Sequence, residues 1–110
     1  MIVDLNTGAS VETSATLLDL ETLEHNHPAV LAIPFETFGD GRGYSVARLL
    51  RRQGFQGLLR AVGDNGLDQL FYLRRCGFDQ AEISDEEFEL LTPHHLRPFE
   101  TQLQPAERDA

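Results

Sequence analysis

Hydrophobic and polar positions repeat along the middle of the chain. Residues 50–55 read LRRQGF, and the pattern returns 23 residues later as LRRCGF at residues 73–78. Each copy closes an apolar-periodic stretch with glycine followed by phenylalanine. This predicts a helix that ends at the glycine, with the aromatic side chain packing back on the last helical turn. Short apolar runs follow both copies, so the pattern indicates repeated strand-loop-helix units.

Three of the apolar runs are predicted strands, at residues 29–35, 58–62 and 80–84. The first is apolar almost throughout, which is typical of a strand buried on both faces of a parallel sheet. In such a sheet the strand-to-helix loops meet at the carboxyl edge. We therefore predict an α/β fold with a small parallel sheet of repeated strand-loop-helix units, either three-layered or resembling part of a barrel.

The first repeated helix is predicted to begin with Ser45 as its N-cap. The second is predicted to be capped by Asp64 or Asn65, and a third, with an acidic first turn, follows residue 84 and is ended by Pro93. In the first helix the predicted inward positions are Val46, Leu49 and Leu50, and the outward ones are Arg48, Arg51 and Arg52. The predicted apolar stripe of the second helix contains Leu67, Leu70, Phe71 and Arg74.

The ends of the chain carry weaker patterns. Residues 1–3 are predicted to form a short strand, residues 6–8 a turn, and residues 14–25 a short helix. At 110 residues the chain has the size of one domain. We assign residues 1–99 to a single α/β domain whose motifs fall within residues 30–83. Residues 100–110 are polar and acidic and are predicted to be a flexible tail.

Charge is distributed unevenly. Residues 42–75 contain seven Arg and two acidic residues, whereas the chain as a whole has a net charge of −9. A negative chain repels nucleic acid at long range, so we expect no nucleic-acid partner, although a local anion site remains possible among the central arginines. No apolar run is long enough to span a membrane, and the first residues lack a basic region followed by an apolar one, so we expect no secretory signal. We expect a cytoplasmic protein with no membrane partner; the pattern does not define its oligomeric state.

Candidate chemistry is concentrated in the loop after the first predicted strand. Glycines on either side of Arg42 at a helix start would let backbone N–H groups and a guanidinium converge on an anion. A structural turn, with Asp40 and Arg42 paired and glycine supplying a positive φ, is the alternative. Arg60 and Asp64 are predicted to lie at the same edge of the sheet. They are either functional groups or a structural ion pair. The candidate ligand-binding residues are Asp40, Gly41, Arg42, Gly43, Tyr44, Ser45, Arg60, Asp64, Asp68 and Gln69, the last two of which also fit a solvated helix surface.

Redox and metal chemistry have little support in the sequence. The chain contains no Lys, so it has no lysine Schiff base and no P-loop lysine. The single cysteine, Cys76, is expected to be a small buried residue. His25, His27, His94 and His95 have no spacing that completes a known metal motif. We therefore expect no metal and no cofactor, and the sequence alone identifies no catalytic residue.

An ordered series of motifs resembles a small bacterial family of unknown function. The motifs are FxxFxDGRGYSxARLLR from Phe35, LRAVGD from Leu59, DQL from Asp68 and RCGFD from Arg75. Members of that family are commonly labelled as oxidoreductases involved in sulfite reduction and are encoded beside assimilatory sulfite reductase. The resemblance covers residues 30–83, and the N-terminal part here is shorter than is usual in the family.

The resemblance implies an accessory protein of sulfate and sulfite assimilation. It would bind a small oxyanion, or subunits of sulfite reductase, through the loop that contains DGRGYS. The residues themselves leave two other classes open. One is a small lyase or isomerase in which Arg42 holds an anionic substrate and Asp64 is the base. The other is a pure interaction module that uses its Arg-rich helix to bind an acidic partner.

Overall fold

The computed structural model describes residues 1–18, 28–35, 42–63 and 65–96, with Arg42 described through its backbone only. The strands are β1 (Ile2–Asp4), β2 (Ser10–Val11), β3 (Thr16–Leu17), β4 (Val30–Pro34), β5 (Leu58–Val62) and β6 (Gln80–Glu82). The helices are α1 (Arg42–Arg52), α2 (Leu70–Arg75), α3 (Asp85–Leu90) and α4 (Pro93–Leu96), and one 3₁₀ turn (Leu67–Gln69) leads into α2. The predicted tail at residues 100–110 lies outside the described residues.

One mixed sheet contains all six of these strands, in the order β2-β1-β6-β5-β4-β3. The three predicted strands are confirmed as β4, β5 and β6, which are parallel neighbours in chain order. β3 adds a fourth parallel strand, whereas β1 runs antiparallel to both β6 and β2. The α/β prediction is therefore confirmed, with an antiparallel pair at one side that the repeat pattern does not contain.

The N-terminal predictions are partly confirmed. β1 and the turn that ends at Gly8, where φ is 81°, occur as predicted. The short helix predicted over residues 14–25 is wrong at Thr16–Leu17, which pairs with β4 as β3. The apolar positions of this segment follow neither the helical nor the strand period. Pairing with β4 therefore determines the conformation of these two residues. Residues 19–25 lie outside the described part of the chain.

The length of the β2–β3 connection shows that the sheet is curved. Six flat strands would place β2 and β3 about 24 Å apart. Val11 and Thr16 are joined by five Cα–Cα steps, which reach about 19 Å at most. The sheet must therefore curl, and residues 12–15 cross its concave face. The carbonyl of Thr13 accepts a hydrogen bond of 2.6 Å from Nη2 of Arg60 there.

The hydrophobic core lies between the other, convex face and the helices. Alternate strand residues point into it, as the two-residue period of a strand dictates. Those in β4 and β5 are Leu31, Ile33, Leu59 and Ala61, and the helices contribute Ala47, Leu50, Leu70 and Leu73. The prediction that Leu49 points inward is wrong: its side chain is 50% exposed, and Ala47 occupies the inward position instead. α1 begins at Arg42, so Ser45 lies inside the helix and the N-cap prediction for it is also wrong.

Both repeated helix ends have the predicted geometry. Gly54 and Gly77 have φ values of 96° and 112°, in the left-handed region that glycine adopts without strain. The N–H of Phe55 bonds to the Leu50 carbonyl, and the N–H of Phe78 bonds to the Leu73 carbonyl. These six-to-one bonds, together with the bonds of the two glycine N–H groups, form the Schellman motif at each end.

Arg51 was predicted to point outward, and this prediction is wrong. Its guanidinium lies between the ends of α1 and α2, and all five N–H groups donate hydrogen bonds. The acceptors are the carbonyls of Phe55, Gly57 and Gly77 and the carboxylate of Asp79, at 2.6–3.1 Å. The same carboxylate oxygen accepts the Leu59 N–H, so Arg51 joins both helix ends to the start of β5.

We predict that Arg51→Ala lowers the free energy of unfolding by about 2–3 kcal/mol, since a charged hydrogen-bond network is lost at a partly buried position. Urea denaturation should show a lower midpoint with an unchanged slope. Arg52→Ala is the matched control, because Arg52 is the next residue of the same helix and is exposed. Equal midpoints for the two variants would contradict the role given to Arg51.

Candidate functional site

The structure describes only part of the predicted loop at the carboxyl edge. Asp40, Gly41 and Asp64 lie outside the described residues. Gly43, Tyr44 and Ser45 form the first turn of α1, which contains no acidic residue. The anion-binding role of this loop therefore stays a prediction.

Gly43 is required for close packing and not for a left-handed backbone. A Cβ atom at this position would lie 2.6 Å from the Phe35 ring, well inside van der Waals contact. The φ of Gly43 is not positive, so the alternative in which glycine supplies a positive φ to the turn does not apply to Gly43. The small residue lets the start of α1 pack directly on the end of β4, which determines where Tyr44 is placed.

Aromatic rings connect this edge to α2. The Tyr44 ring packs edge-on against Phe35 at a centroid distance of 5.1 Å and in a tilted orientation against Tyr72 at 4.8 Å. Nη2 of Arg48 donates a hydrogen bond of 3.2 Å to the Tyr72 hydroxyl. Aromatic pairs of this geometry contribute about 0.5–1.5 kcal/mol beyond the area they bury. The contacts hold α1 and α2 in one relative position and leave Tyr72 half exposed above them.

The Tyr44 phenol is in a partly apolar environment. Burial raises its pKa, and the nearby Cys76, Tyr72 and Asp68 raise it further. Tyr44 is therefore a neutral hydroxyl at ordinary pH and not an activated nucleophile. Cys76 is buried, as predicted from the sequence. Asp68 is exposed on the 3₁₀ turn after β5, and Tyr44 lies in the first turn of α1 after β4, so both residues are at the carboxyl edge of these parallel strands.

Gln69 has a local structural role. Its side-chain oxygen accepts a hydrogen bond of 2.9 Å from the Gly66 N–H, which closes the turn that starts α2. The residue at the N-cap of this turn is Gly66, so the prediction that Asp64 or Asn65 is the N-cap is wrong. Asn65 is instead buried and donates to the carbonyls of Ala61 and Glu82. It joins the ends of β5 and β6, a role that the local sequence does not indicate.

Arg60 lies on the opposite face of the sheet from Tyr44. Its neighbours along β5, Leu59 and Ala61, are in the convex-face core, so strand alternation places Arg60 on the concave face. The side chain is 7% exposed and donates to Gln80 Oε1 at 2.8 Å as well as to Thr13. Burial lowers the pKa of Arg60, and Glu82 opposes this shift. The structure therefore does not bring Arg60 together with the start of α1.

The described residues contain no group of three His, Cys, Asp or Glu side chains positioned to hold a metal ion. His94 is exposed, and Nδ1 of His95 accepts a hydrogen bond from the Thr92 N–H at 3.0 Å. Pro93, predicted to end a helix, is the first residue of α4. Among the described helices, none has the length and apolarity needed to cross a membrane.

The curved sheet with helices packed on its convex face defines a small α/β protein. The family model for the bacterial protein of unknown function DUF934 matches residues 8–110, and the chain belongs to this family. No curated protein and no protein of known structure has significant similarity to the chain.

The raised pKa of Tyr44 has a consequence for stability at alkaline pH. The folded protein holds the phenolic proton more tightly than the unfolded chain does. The Tyr44 contribution is therefore present below the unfolded pKa, near 10.0, and is lost as pH rises through the folded pKa. In Tyr72→Phe, Tyr44 is the remaining one of two tyrosines. Its ultraviolet titration should have a midpoint above that of the same protein in denaturant; a midpoint at or below it would contradict this environment.

The predicted anion site at the start of α1 is tested by Arg42→Ala. If Arg42 holds an anion, the variant should lose a charge-assisted contact of about 1.5–3 kcal/mol with little change in stability. Thermal unfolding would be followed with and without sulfite, sulfate and phosphate. Arg52→Ala is the control, because Arg51 is structural. If anions stabilise Arg42→Ala as much as the wild type, the site does not depend on Arg42.

Proposed function

We propose that the protein is an accessory protein of assimilatory sulfite reduction that acts in the cytoplasm by binding a subunit of sulfite reductase. The motif series across residues 30–83 supports the pathway. The exposed side of the two repeated helices supports binding to a partner. We call this surface the helical face and define it by Arg48, Leu49 and Arg52 of α1 with Tyr72 and Arg75 of α2.

The observation that carries the proposal is that this surface combines positive charge with exposed apolar groups on a negative protein. Leu49 and Tyr72 are 50% and 48% exposed, although both lie on helices whose other sides pack into the core. Arginine and tyrosine are enriched at the centres of protein interfaces, where they provide contact area and hydrogen bonds together. The helical face therefore has the composition of a protein-binding surface.

The helical face is also held in place before any partner binds. The bond from Arg48 to the Tyr72 hydroxyl joins α1 to α2, and the Arg75 guanidinium lies 5.9 Å from the centre of the Phe71 ring. Side chains that are already ordered lose less conformational entropy on binding. The three arginines would attract an acidic surface, which raises the association rate and makes it sensitive to salt.

The proposal keeps the interaction module that the sequence left open and gives it a partner. The lyase or isomerase alternative depends on Arg42 and Asp64, whose side chains lie outside the described part of the structure. A partner-binding role requires neither of them. It rests on residues of α1 and α2 whose side chains the structure describes.

We predict that Leu49→Asp weakens binding to purified sulfite reductase subunits at least tenfold. The substitution places a negative charge where an acidic partner would contact an apolar side chain, and a tenfold change is about 1.4 kcal/mol. Leu90→Asp is the matched control, because Leu90 is also an exposed leucine on a helix, 66% exposed, and lies on α3 outside the helical face. The dissociation constants would be measured by titration of labelled protein.

Salt provides a second measurement of the same binding. Association of the wild type should slow as ionic strength rises, and Arg48→Ala should reduce that dependence. Circular dichroism would verify that both variants are folded. Wild-type protein that binds no subunit of sulfite reductase would overturn the proposed partner, and equal binding by Leu49→Asp and Leu90→Asp would overturn the proposed surface.

A further inference from the structure

The two repeats place an arginine at the same position of each helix end. Arg51 and Arg74 are both the second residue of the repeated segment, and the N–H of each terminal glycine bonds to the carbonyl of that arginine. Each side chain extends from its helix end toward the next strand of the sheet. Arg51 reaches the segment before β6, and Arg74 reaches Asn6, after β1. The repeat therefore permits a direct comparison of the two surroundings.

The surroundings differ in one respect. Arg51 contacts a carboxylate, that of Asp79, at 2.6 Å. Among the described residues, the acceptors of Arg74 are neutral: Nε donates to Asn6 Oδ1 at 3.1 Å, and Nη1 lies 3.5 Å from the Leu96 carbonyl. No carboxylate of the described residues lies within ion-pair distance of Arg74, and no described group accepts from its Nη2. Within the described residues, Arg74 therefore has no counterpart of the Asp79 carboxylate that Arg51 contacts.

Nη2 of Arg74, which has no acceptor in the described part of the chain, belongs to an open depression at the amino edge of the sheet. The depression has a volume of about 370 Å³, and its lining includes Arg51, Arg74, Asn6, Gln56 and Asp79. Asp79 is already engaged by Arg51 and by the Leu59 N–H. Among the described lining residues, two guanidinium groups and one carboxylate give the depression one net positive charge, in a protein whose total charge is −9.

We propose that this depression is a binding site for a small anion with two adjacent oxygen atoms, a carboxylate or an oxyanion of sulfur or phosphorus, held by the guanidinium of Arg74. The anion contacts Nη2 of Arg74, as Oδ2 of Asp79 contacts Nη2 of Arg51. A planar guanidinium binds two such oxygens in parallel, which makes these anions better ligands than chloride. The site is separate from the helical face and from the start of α1, and it does not depend on the proposed partner.

The test compares Arg74→Gln with Arg75→Gln. Arg75 is the next residue of the chain and is exposed on the helical face. Thermal unfolding would be measured with acetate, sulfate, sulfite or phosphate against chloride at constant ionic strength. Acetate distinguishes carboxylates from tetrahedral oxyanions. At least one of these anions should raise the melting temperature of the wild type and of Arg75→Gln. The apparent dissociation constant should increase at least tenfold in Arg74→Gln.

Asn6→Asp provides a second variant that keeps Arg74. It places a carboxylate at the acceptor that Arg74 already contacts and should abolish the anion response by filling the site from within the chain. A wild type with no anion response would overturn the proposal, as would a response retained by both Arg74→Gln and Asn6→Asp. A response lost only in Arg42→Ala would assign the anion to the carboxyl edge. None of these outcomes bears on binding through the helical face, which Leu49→Asp tests separately.

Discussion

The guanidinium of Arg51 gathers three backbone carbonyls and a carboxylate that would otherwise repel one another at the ends of two helices. Helix C-termini carry partial negative charge and unpaired carbonyls, and the two ends meet here because parallel units begin and end at the same edges. Arg51 donates to these acceptors in both units. The Asp79 carboxylate that it contacts also accepts the N–H of Leu59, in β5. The spacing of α1 and α2, and with it the helical face, depends on this contact.

Helix ends were predictable because their signals are local. Gly54 and Gly77 need only their own backbone conformation, and the phenylalanine after each needs only the preceding turn. The position of Arg51 was not predictable, since helical periodicity assigns a face relative to one partner and Arg51 faces a neighbouring helix end instead. The same limit applies to Leu49, where the charged pattern of α1 does not distinguish an inward leucine from an exposed one.

The curvature of the sheet follows from chain length, but only once the strand order is known. Four residues join β2 to β3, and nothing in their composition shows that these strands lie at opposite edges of one sheet. For the same reason Arg60 was expected at the carboxyl edge, whereas the concave face and the Thr13 carbonyl surround it. Tyr44 and Asp68 lie at one edge because they follow neighbouring parallel strands, whose strand-to-helix loops share that edge. That rule concerns loops and does not extend to side chains within a strand.

The repeat also explains how one structural contact can become a binding site elsewhere. Both units place an arginine at the end of a helix. Arg51 donates to carbonyls beside both helix ends and also to a carboxylate. In the first unit Asp79 supplies that carboxylate, so Arg51 has a structural role. At the next position along the sheet the antiparallel strand β1 follows, and its turn supplies the neutral Asn6. The change from parallel to antiparallel pairing thus ends the series of contacts and leaves the charge of Arg74 without a carboxylate in the described chain.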